Sequence, residues 1–501
     1  MLREFQKKAI LQFFKIEEAP FKLLILDERT RNILAALFRV SDLREAGICA
    51  HFLLGMNNPD TKDIPAVYYV RNFNSAINDI CEFKYSRYYI NSATQIKRAD
   101  LENLAIKASE SRNANRIRDI NDTFTDYISL QQDLFSFDLK DSYLKDYSQE
   151  IVLSLFSIFV TLKKNPYIVG NLACSSIKNN ILKLLENKIK NTKLIKNTVK
   201  KPLLILVDRD IDLITPMLHS LGFLEIINDI FNITLNKVNL GNESINLDVD
   251  NSFFIKQRFN DFTDVVDLIN QEIISYKKEM ALKNISVANI DGMLEIAPEL
   301  QKKNAIVNNL LTISLKVIDE IKARKLDDFY TMETKFVKEN LMELSEQGTT
   351  NDIIRLCVSF LGTPNVEFVE PLLEKRNIKT NVISYIKKFQ QEDTSYGSIL
   401  KNKMKNLIFK KSLPLINYVE DILLKVKNNN ITDSYETSIY NGTIYFNEIS
   451  EVFVFVNGGV TYTELKELKE IEKKYAIPII LGGTEILNAQ NLIEQLEKAS
   501  Q

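Results

Sequence analysis

The chain has 501 residues, of which 45% are hydrophobic and 26% are charged, and its formal net charge is −2 at pH 7. This length exceeds what a single hydrophobic core supports, so we expect about three domains. The near-balance of charge argues against general nucleic-acid binding. The two histidines, His51 and His219, exclude a multi-histidine metal site and disfavour histidine-based acid–base catalysis.

The cysteines, the first residues and the apolar runs are typical of a cytoplasmic protein. The four cysteines are Cys49, Cys81, Cys174 and Cys357, and no two of them form a CxxC pair. Scattered cysteines of this kind are typical of reduced thiols. The first residues, MLREFQKKAILQFFKIEEAP, interleave charged and apolar side chains and are not expected to form a signal-peptide core. The longest strongly apolar run, 151–162, is shorter than the roughly 20 residues of a membrane span and predicts a buried helix.

Residues 1–135 alternate between strand and helix patterns. Strand-like runs cover 21–27, 47–54, 65–70 and 86–91. Helical patterns lie near 28–39, 74–84 and 98–110. Apolar strands that alternate with helices predict a parallel sheet covered on both faces, which is a Rossmann-like domain. No glycine-rich turn follows these strands, so a dinucleotide site has little support.

A second α/β unit begins with a helix at 150–162 and a strand at 203–207, and C-terminal strands at 451–456 and 477–481 rejoin it. If these strands share one sheet, the second domain is discontinuous, and the chain between about 240 and 405 is an insertion. The insertion is predicted to be mainly helical, and six apolar residues there keep helical spacing: Leu300, Ile306, Leu310, Ile313, Val317 and Ile321. The predicted fold class is therefore α/β, with a Rossmann-like parallel-sheet first domain, a discontinuous second α/β domain and a mainly helical inserted third domain.

The strand at 203–207 ends in three aspartates at alternate positions, Asp208, Asp210 and Asp212. An apolar strand that leads into such acids is typical of haloacid-dehalogenase-type phosphatases, in which Asp208 and Asp210 would supply the nucleophile and the acid–base group beside Mg²⁺. The motif lies far into the chain, and no lysine motif on a partner strand can be paired with it. The alternative, which we favour, is that the acids bond to turn amides and to arginines such as Arg209. A helix is predicted to follow, with Thr215 as its N-cap.

Two glycine pairs, in VNGGVTYTE (456–464) and LGGTEILNA (481–489), each follow a strand and precede a helix. Such turns can present backbone amides to a phosphate. Neither pair matches the dinucleotide or P-loop pattern. Tight strand-to-helix turns with Thr461 or Thr484 near the cap are the favoured interpretation.

Seven segments in this order resemble the SM (Sec/Munc-related) family of SNARE-binding proteins, and the resemblance covers nearly the whole chain. These segments are FKLLILDERTRNIL with SDLREAGICAHFLL, DIPAVYYVRNFNSAINDI, SLFSIFVTLKKNPYI, PLLILVDRDIDLITPMLHSLGFLEIINDIF, PELQKKNAI with IDEIKARKLDDFY, VFVFVNGGVTYTE, and IILGGTEILNAQNLIEQL. The PAVYYV, KARKLDDFY and NLIFKKSLPLINYVEDIL segments are most similar to the Sly-type branch, which serves ER–Golgi traffic.

The resemblance implies a three-domain arch. Its parts are domain 1 at 1–138, domain 2 at 139–238 and 406–501, and helical domain 3 at 239–405. It further implies a non-enzymatic protein without cofactor or metal, monomeric alone, in the cytoplasm and peripherally associated with ER and Golgi membranes. Its expected partners are a syntaxin-type SNARE, other SNAREs and tethering factors. A different SM branch, endosomal, vacuolar or of the plasma membrane, stays open.

The resemblance also implies a groove for a syntaxin N-terminal peptide, formed by two adjacent helical faces. Its residues are Leu101, Leu104, Ala105, Ile117, Ile120 and Phe124. A charge in such a groove, as in Leu104→Lys, is expected to cost several kcal/mol of binding. The alternative is that these residues pack on the sheet.

The third-domain helices at 298–345, a long helical hairpin with the stripe from Leu300 to Ile321, are the candidate contact for SNARE helices. That stripe could instead be core. Residues 281–297 stand where Sly-type members carry a longer regulatory loop. The lysine-rich stretch 183–201 is interpreted as a solvated helix face and linker.

Overall fold

The computed structural model describes residues 2–56, 61–82, 84–191, 195, 199–241, 243–285, 290–361, 363–391, 413–428, 438–440 and 444–500. The strands are β1 (Lys22–Leu26), β2 (Ile48–Leu53), β3 (Ala66–Val70), β4 (Tyr88–Ser92), β5 (Ile117–Asp122), β6 (Ile128–Ser129), β7 (Leu134–Ser136), β8 (Tyr167–Gly170), β9 (Lys201–Asp208), β10 (Lys237–Asn239), β11 (Ser244–Asn246), β12 (Ser438–Tyr440), β13 (Ile449–Asn457) and β14 (Ile479–Gly483).

The helices are α1 (Leu2–Phe14), α2 (Glu28–Leu37), α3 (Val40–Glu45), α4 (Phe73–Ile80), α5 (Arg98–Glu110), α6 (Ser148–Leu162), α7 (Ser175–Asn191), α8 (Phe223–Phe231), α9 (Ser252–Gln257), α10 (Phe262–Ile285), α11 (Ile290–Arg324), α12 (Leu326–Thr334), α13 (Lys338–Leu344), α14 (Thr350–Phe360), α15 (Val369–Lys375), α16 (Val382–Gln391), α17 (Pro414–Lys427), α18 (Tyr462–Tyr475) and α19 (Ala489–Ala499).

The chain separates into two compact units. Unit 1 comprises Met1–Asp208, Ile422–Gly458 and Tyr475–Glu485. Unit 2 comprises Arg209–Asp421, Gly459–Lys474 and Ile486–Gln501. The division into three domains at residues 138, 238 and 405 stays a prediction.

The first sheet of unit 1 is parallel throughout, in the order β2-β1-β3-β4-β5. Strands β1, β3 and β4 are buried along their whole length, as expected for strands covered on both faces. Asp27 occupies the turn after β1, where its carboxylate accepts hydrogen bonds from the amides of Thr30 and Asn72. A carboxylate thus fills the place where a dinucleotide-binding turn would have glycine.

The second sheet of unit 1 has the order β12-β8-β9-β13-β14-β7-β6. Strand β9 pairs in parallel with β13, and β13 pairs in parallel with β14. The predicted sharing of one sheet by the strands at 203–207, 451–456 and 477–481 is therefore confirmed. Strands β6 and β7, which precede residue 138, also belong to this sheet.

The apolar run 151–162 forms helix α6, as predicted. Most of its side chains are buried, from Ile151 to Leu162. Phe159 packs edge-on against Phe453 of β13, with ring centroids 5.6 Å apart. The helix therefore covers the second sheet.

The second glycine pair lies within strand β14 and not in a turn. A Cβ atom on Gly482 would lie 1.9 Å from the Phe135 ring. That ring stacks on Phe455, with centroids 6.3 Å apart. Gly482 is thus required by close packing of an aromatic ring.

Gly482→Ala is expected to destabilise the protein by about 1–3 kcal/mol, the usual cost of overpacking a core. Urea unfolding measures this loss. The double variant Gly482→Ala, Phe135→Leu should lose less than the sum of the two single variants, since the smaller side chain makes room for the methyl group. Strict additivity would contradict the packing argument.

Unit 2 is built mainly from helices, and the segment 298–345 forms parts of three of them. Helix α11 ends at Arg324, where Lys325 takes a left-handed backbone conformation (φ 56°), and α12 and α13 follow. The segment 298–345 is thus divided among three helices of unequal length, and the long hairpin stays a prediction. Residues 286–289 of the segment 281–297 lie outside the described residues, as do 192–194 and 196–198 of the lysine-rich stretch.

His219 is buried in unit 2 between two carboxylates. Its Nδ1 lies 2.6 Å from Glu333 Oε1, and its Nε2 lies 3.2 Å from Asp352 Oδ1. Asp352 also accepts hydrogen bonds from the Arg324 guanidinium. The imidazole stacks on Phe329, with centroids 5.3 Å apart. The network joins the turn after β9 to α12 and α14.

Burial and the Arg355 charge lower the pKa of His219, but the Glu333 charge and the hydrogen bonds of Asp352 and Glu333 outweigh them and hold this pKa above its usual value. Burial alone would raise the pKa of Asp352, but its bonds to His219 and Arg324 hold it well below the usual range. The imidazolium is therefore the stabilising form in the folded protein.

His219→Gln is expected to remove a pH-dependent part of the stability. Because the folded pKa of His219 is raised from 6.5, its contribution is complete below the unfolded pKa and is lost as pH rises through the folded pKa. Urea unfolding from about pH 6 to about pH 9 should show that the stability difference between wild type and variant decreases with pH. A constant difference would contradict the assignment.

Candidate functional site

The acidic turn after β9 is held by hydrogen bonds within the chain. Asp208 Oδ2 accepts a hydrogen bond of 2.9 Å from Asn457 Nδ2. Asp212 Oδ1 accepts from the amides of Ile214 and Thr215, at 3.0 and 2.9 Å. The interpretation that these acids bond to turn amides is supported at Asp212.

Thr215 is not an N-cap, contrary to the prediction. It is the first residue of a 3-10 turn, Thr215–Met217, and the long helix begins only at Phe223. Asp212 binds the free amides because its short side chain forms an Asx turn two residues on. Burial, the largest effect, raises the pKa of Asp212.

Arg209 is fully buried. Its guanidinium forms a bidentate ion pair with the carboxylate of Glu464. The bonds are Nη1–Oε2 at 3.1 Å and Nη2–Oε1 at 2.8 Å. Glu464 also accepts from the Thr461 amide at 2.9 Å, while Thr461 Oγ1 accepts from the Glu464 amide at 3.2 Å. The predicted cap at Thr461 is confirmed, whereas Asn488 and not Thr484 caps α19.

Among the described residues, no group of three or more His, Cys, Asp or Glu side chains has the arrangement of a metal site. Asp327 and Asp328, an adjacent acidic pair, lie in the first turn of helix α12 and not at the end of a strand. Among the described residues, we therefore find no further acidic group that could complete a Mg²⁺-dependent phosphate-transfer site with Asp208 and Asp210.

The predicted peptide groove lies beside the edge strand of the first sheet. Its first three residues lie on α5, as predicted, but Ile117 and Ile120 lie on strand β5 and not on a helix. The prediction of a second helix is therefore wrong.

A β-bulge explains the helix-like spacing of these two isoleucines. Ile117 pairs with Tyr88 and Ile120 pairs with Ile90, and the register shifts between them by one residue. Paired residues of a parallel ladder point to the same face, so both isoleucines lie on the face of Tyr88 and Ile90 although they are three residues apart. That is the face covered by α5, since Leu104 packs in the same core.

The structure places Leu104 and Ile117 in one hydrophobic core and leaves Leu101, Ala105 and Ile120 exposed. Leu101 is 38% exposed, Ile120 is 37% exposed and Ala105 is also exposed. Leu104 is buried and Ile117 is half-buried, and both pack in the core beneath. We name the surface of Leu101, Ala105 and Ile120, with Leu104 and Ile117 as its floor, the α5–β5 groove.

Phe124 lies apart from the α5–β5 groove. It is 5% exposed and packs edge-on against Phe156 of α6, with centroids 5.7 Å apart. It belongs to the core of the second sheet and has a positive φ of 50°. The helical interpretation of this segment placed Phe124 with the isoleucines.

The sequence interpretation did not predict that residues 117–122 form a strand, β5, whose backbone could itself bind a peptide. Among the described strands, β5 is an edge strand paired with β4 alone. An edge strand has peptide groups directed away from its sheet that can pair with an extended peptide. The sequence of β5, IRDIND, shows no regular alternation of apolar and polar residues, so no sequence signal indicated this strand.

The α11 stripe is largely core. Leu310, Ile313 and Val317 are buried, and Ile306 and Ile321 are half-buried. The Leu300 side chain lies outside the described residues. Leu315 is 53% exposed on another side of the helix. A partner helix could contact Ile306 and Ile321 but not the three buried residues.

Comparison with known proteins identifies the family. The sequence model of the Sec1 family matches residues 22–495. The chain belongs to the Sec1 family. This Sec1-family chain is 37% identical to the SEC1 family transport protein SLY1 of Encephalitozoon cuniculi, over 99% of each chain. It is 26% identical to the human Sec1 family domain-containing protein 1, over 97% of this chain and 94% of that relative. The predicted family and its Sly-type branch are confirmed.

Solved structures confirm the fold class of this Sec1-family chain. A crystal structure of Sly1p in complex with an N-terminal peptide of Sed5p matches with a TM-score of 0.81 at 21% identity, covering 100% of this chain and 98% of that one. The SM protein Vps45 in complex with the Qa SNARE Tlg2 matches with a TM-score of 0.80 at 18% identity, covering 99% and 98%.

None of the described helices combines the length and the apolar character that crossing a bilayer requires.

Leu104 and Leu101 are expected to differ sharply in stability tests. Leu104→Ala should cost about 2–5 kcal/mol because it opens a cavity in a closed core. Leu101→Ala should cost less than about 1 kcal/mol, since much of its side chain already contacts solvent. Urea unfolding of both variants checks this, and equal losses would contradict the division between floor and surface.

Proposed function

We propose that the chain is a regulator of SNARE-mediated membrane fusion that binds a syntaxin-type SNARE through the SNARE's N-terminal peptide and promotes SNARE assembly in ER–Golgi transport. The observation that carries this proposal is the 37% identity to a SLY1 protein over 99% of each chain. The complex of Sly1p with an N-terminal peptide of Sed5p supports a peptide as the ligand. The role is regulatory and not catalytic.

The protein would act in the cytoplasm and associate peripherally with ER and Golgi membranes through its SNARE. Other SNAREs and tethering factors would join the same assembly. The half-buried Ile306 and Ile321 of α11 are the part of the predicted stripe that a SNARE helix could contact.

The α5–β5 groove is the proposed peptide site. Fully burying a Leu or Ile side chain stabilises a complex by about 1.5–3 kcal/mol, and Leu101 and Ile120 each offer somewhat more than a third of that surface. The anchors of a short peptide could bury these side chains, while the free edge of β5 supplies hydrogen bonds.

Two side-chain hydrogen bonds link helix α5 to helix α4. Asn74 donates to Asp100 at 2.8 Å, and Lys107 donates to Asn78 at 2.8 Å. A helix fixed in this way loses little conformational freedom when a ligand binds, which favours affinity.

Leu101→Lys and Ile120→Lys are each expected to weaken binding of the syntaxin N-terminal peptide at least tenfold, or about 1.4 kcal/mol. A lysine would place a charge where the peptide's apolar anchors remove water. Fluorescence anisotropy with a labelled synthetic peptide of the syntaxin, identified by pulldown with the full chain, gives the affinity.

Ile106→Lys is the matched control. Ile106 is 60% exposed on the same helix, and it lies about 100° around the helix axis from Ala105. This variant should bind like wild type. Wild-type affinity of Leu101→Lys and Ile120→Lys, with unchanged melting temperatures, would overturn the peptide site.

A further inference from the structure

A cavity lies beside strand β5, on the face of the first sheet opposite α5. Its volume is about 620 Å³, which is within the size range of ligand-binding clefts. Strands β4 and β5 form one wall. Helix α1 contributes Ala9 and Phe13 to the cavity, and helix α6 contributes Val160 and Thr161. All of these residues belong to unit 1.

Asp119 and Asn121 are the residues of β5 that share this face. Asp119 pairs with Tyr89 and Asn121 pairs with Asn91, and all four residues line the cavity. Ile120 lies between them in the strand and therefore points to the opposite face, where it belongs to the α5–β5 groove. The edge strand thus separates the groove on one face from the cavity on the other.

Side-chain amides form a ladder across the cavity face of the sheet. Asn91, which is 1% exposed, donates a hydrogen bond of 3.3 Å to the carbonyl oxygen of Tyr68 on β3. Asn121 in turn donates a hydrogen bond of 3.3 Å to Asn91 Oδ1. Asn121 is exposed, and the ladder ends there because β5 is the edge strand of this sheet among the described strands.

The side chain of Asn121 has hydrogen-bonding capacity left at this edge. A carboxamide has two N–H donors and an oxygen that can accept two hydrogen bonds. Asn91 accepts from one N–H of Asn121, and no described residue donates to Asn121 Oδ1. A donor and an acceptor are therefore available to a further strand. A second carboxamide matches both, as in the asparagine and glutamine ladders of stacked strands.

Charges of both signs surround the cavity. Asp119 and Asp122 belong to β5, Lys15 follows α1 and Lys163 follows α6, and all four line the cavity. These residues are exposed, and two acids against two bases give the lining no net charge that would attract a charged ligand. Hydrogen bonding at Asn121, and not net charge, is therefore the property that distinguishes one ligand side chain from another.

We propose, on the basis of the proposed function, that the syntaxin N-terminal peptide pairs with the free edge of β5 as an extended strand and places an Asn or Gln side chain against Asn121 in this cavity. Successive side chains of a strand point to opposite faces. The peptide residue directly next to this Asn or Gln therefore lies beside Ile120. One short peptide is thus recognised on both faces of the sheet, by an apolar anchor in the α5–β5 groove and by a carboxamide in the cavity.

Double-mutant cycles between protein and peptide test this pairing. Fluorescence anisotropy with the full chain gives the affinities of the labelled syntaxin N-terminal peptide and of its single alanine variants. Asn121→Ala is expected to weaken binding of the unchanged peptide about three- to tenfold, as for one hydrogen bond between neutral groups. Alanine at the peptide's Asn or Gln should weaken binding to wild type by the same factor and should have no further effect on binding to Asn121→Ala.

Ile120→Ala supplies the second cycle. It is expected to couple in the same way to an apolar peptide residue directly next to the Asn or Gln. Residues an even number of positions apart share one face of a strand, whereas residues an odd number apart lie on opposite faces. The spacing of the two coupled peptide residues therefore reports whether the peptide is a strand that spans both faces.

Asn115→Ala is the matched control, because Asn115 is an exposed asparagine in the 3-10 turn before β5 and does not line the cavity. It should bind the peptide as wild type does. The proposal is overturned if folded Asn121→Ala binds as tightly as wild type, or if no Asn or Gln of the peptide contributes to binding of the wild-type chain. An even spacing of the two coupled peptide residues also overturns it.

The groove variants separate this result from the proposed function. If Leu101→Lys and Ile120→Lys lose affinity while Asn121→Ala does not, the peptide binds in the α5–β5 groove alone and the proposed function stands. If none of the three variants loses affinity, the groove itself is not the peptide site.

Discussion

The parallel pairing of β9 with β13 is the constraint on which the rest of the chain depends. Leu204 pairs with Phe453 and Leu206 with Phe455, so a strand before the long insertion lies beside a strand after it. The entropy cost of closing a loop grows only with the logarithm of its length, so a long insertion between paired strands is tolerable. The insertion folds mainly as helices, and the two strands are buried along nearly their whole length.

In unit 2, the corresponding constraint is the buried pair of Arg209 and Glu464. Both side chains are fully buried, so each charge has lost its hydration and depends on the other. Because Glu464 also caps α18 through Thr461, one carboxylate fixes both the turn after β9 and the beginning of a helix. The acidic turn that resembles an active site thus has a structural role, because its Arg209 is bound to the first turn of α18.

The sequence predicts the architecture well because its signals are strong and local. Fully apolar runs such as 203–207 and 65–70 indicate strands buried on both faces, and the structure confirms them. The errors occur where the signal is short or ambiguous. Thr215 and Pro216 are residue types that often begin a helix. Here, however, the Asp212 carboxylate accepts the hydrogen bond of the Thr215 amide, and only a 3-10 turn forms. Gly482 looked like a turn residue because sequence cannot show an aromatic ring lying over a strand.

Only part of the candidate site could be predicted, because only its helix has a strong local signal in the sequence. Leu101, Leu104 and Ala105 lie on the predicted helix, but burial separates Leu104 as floor from the other two as surface. The bulge in β5 has no sequence signature, because it arises from pairing between two strands that no periodicity connects.

The bulge in β5 lets this strand carry one residue more than its pairing with β4 requires. Without that residue, Ile117 and Ile120 would stand two positions apart in a regular strand and would still share a face. With the extra residue but no bulge, the two isoleucines would point to opposite faces. A relative that lacks one residue between them could therefore keep this surface, whereas a relative with the present spacing keeps it only if the bulge is also kept.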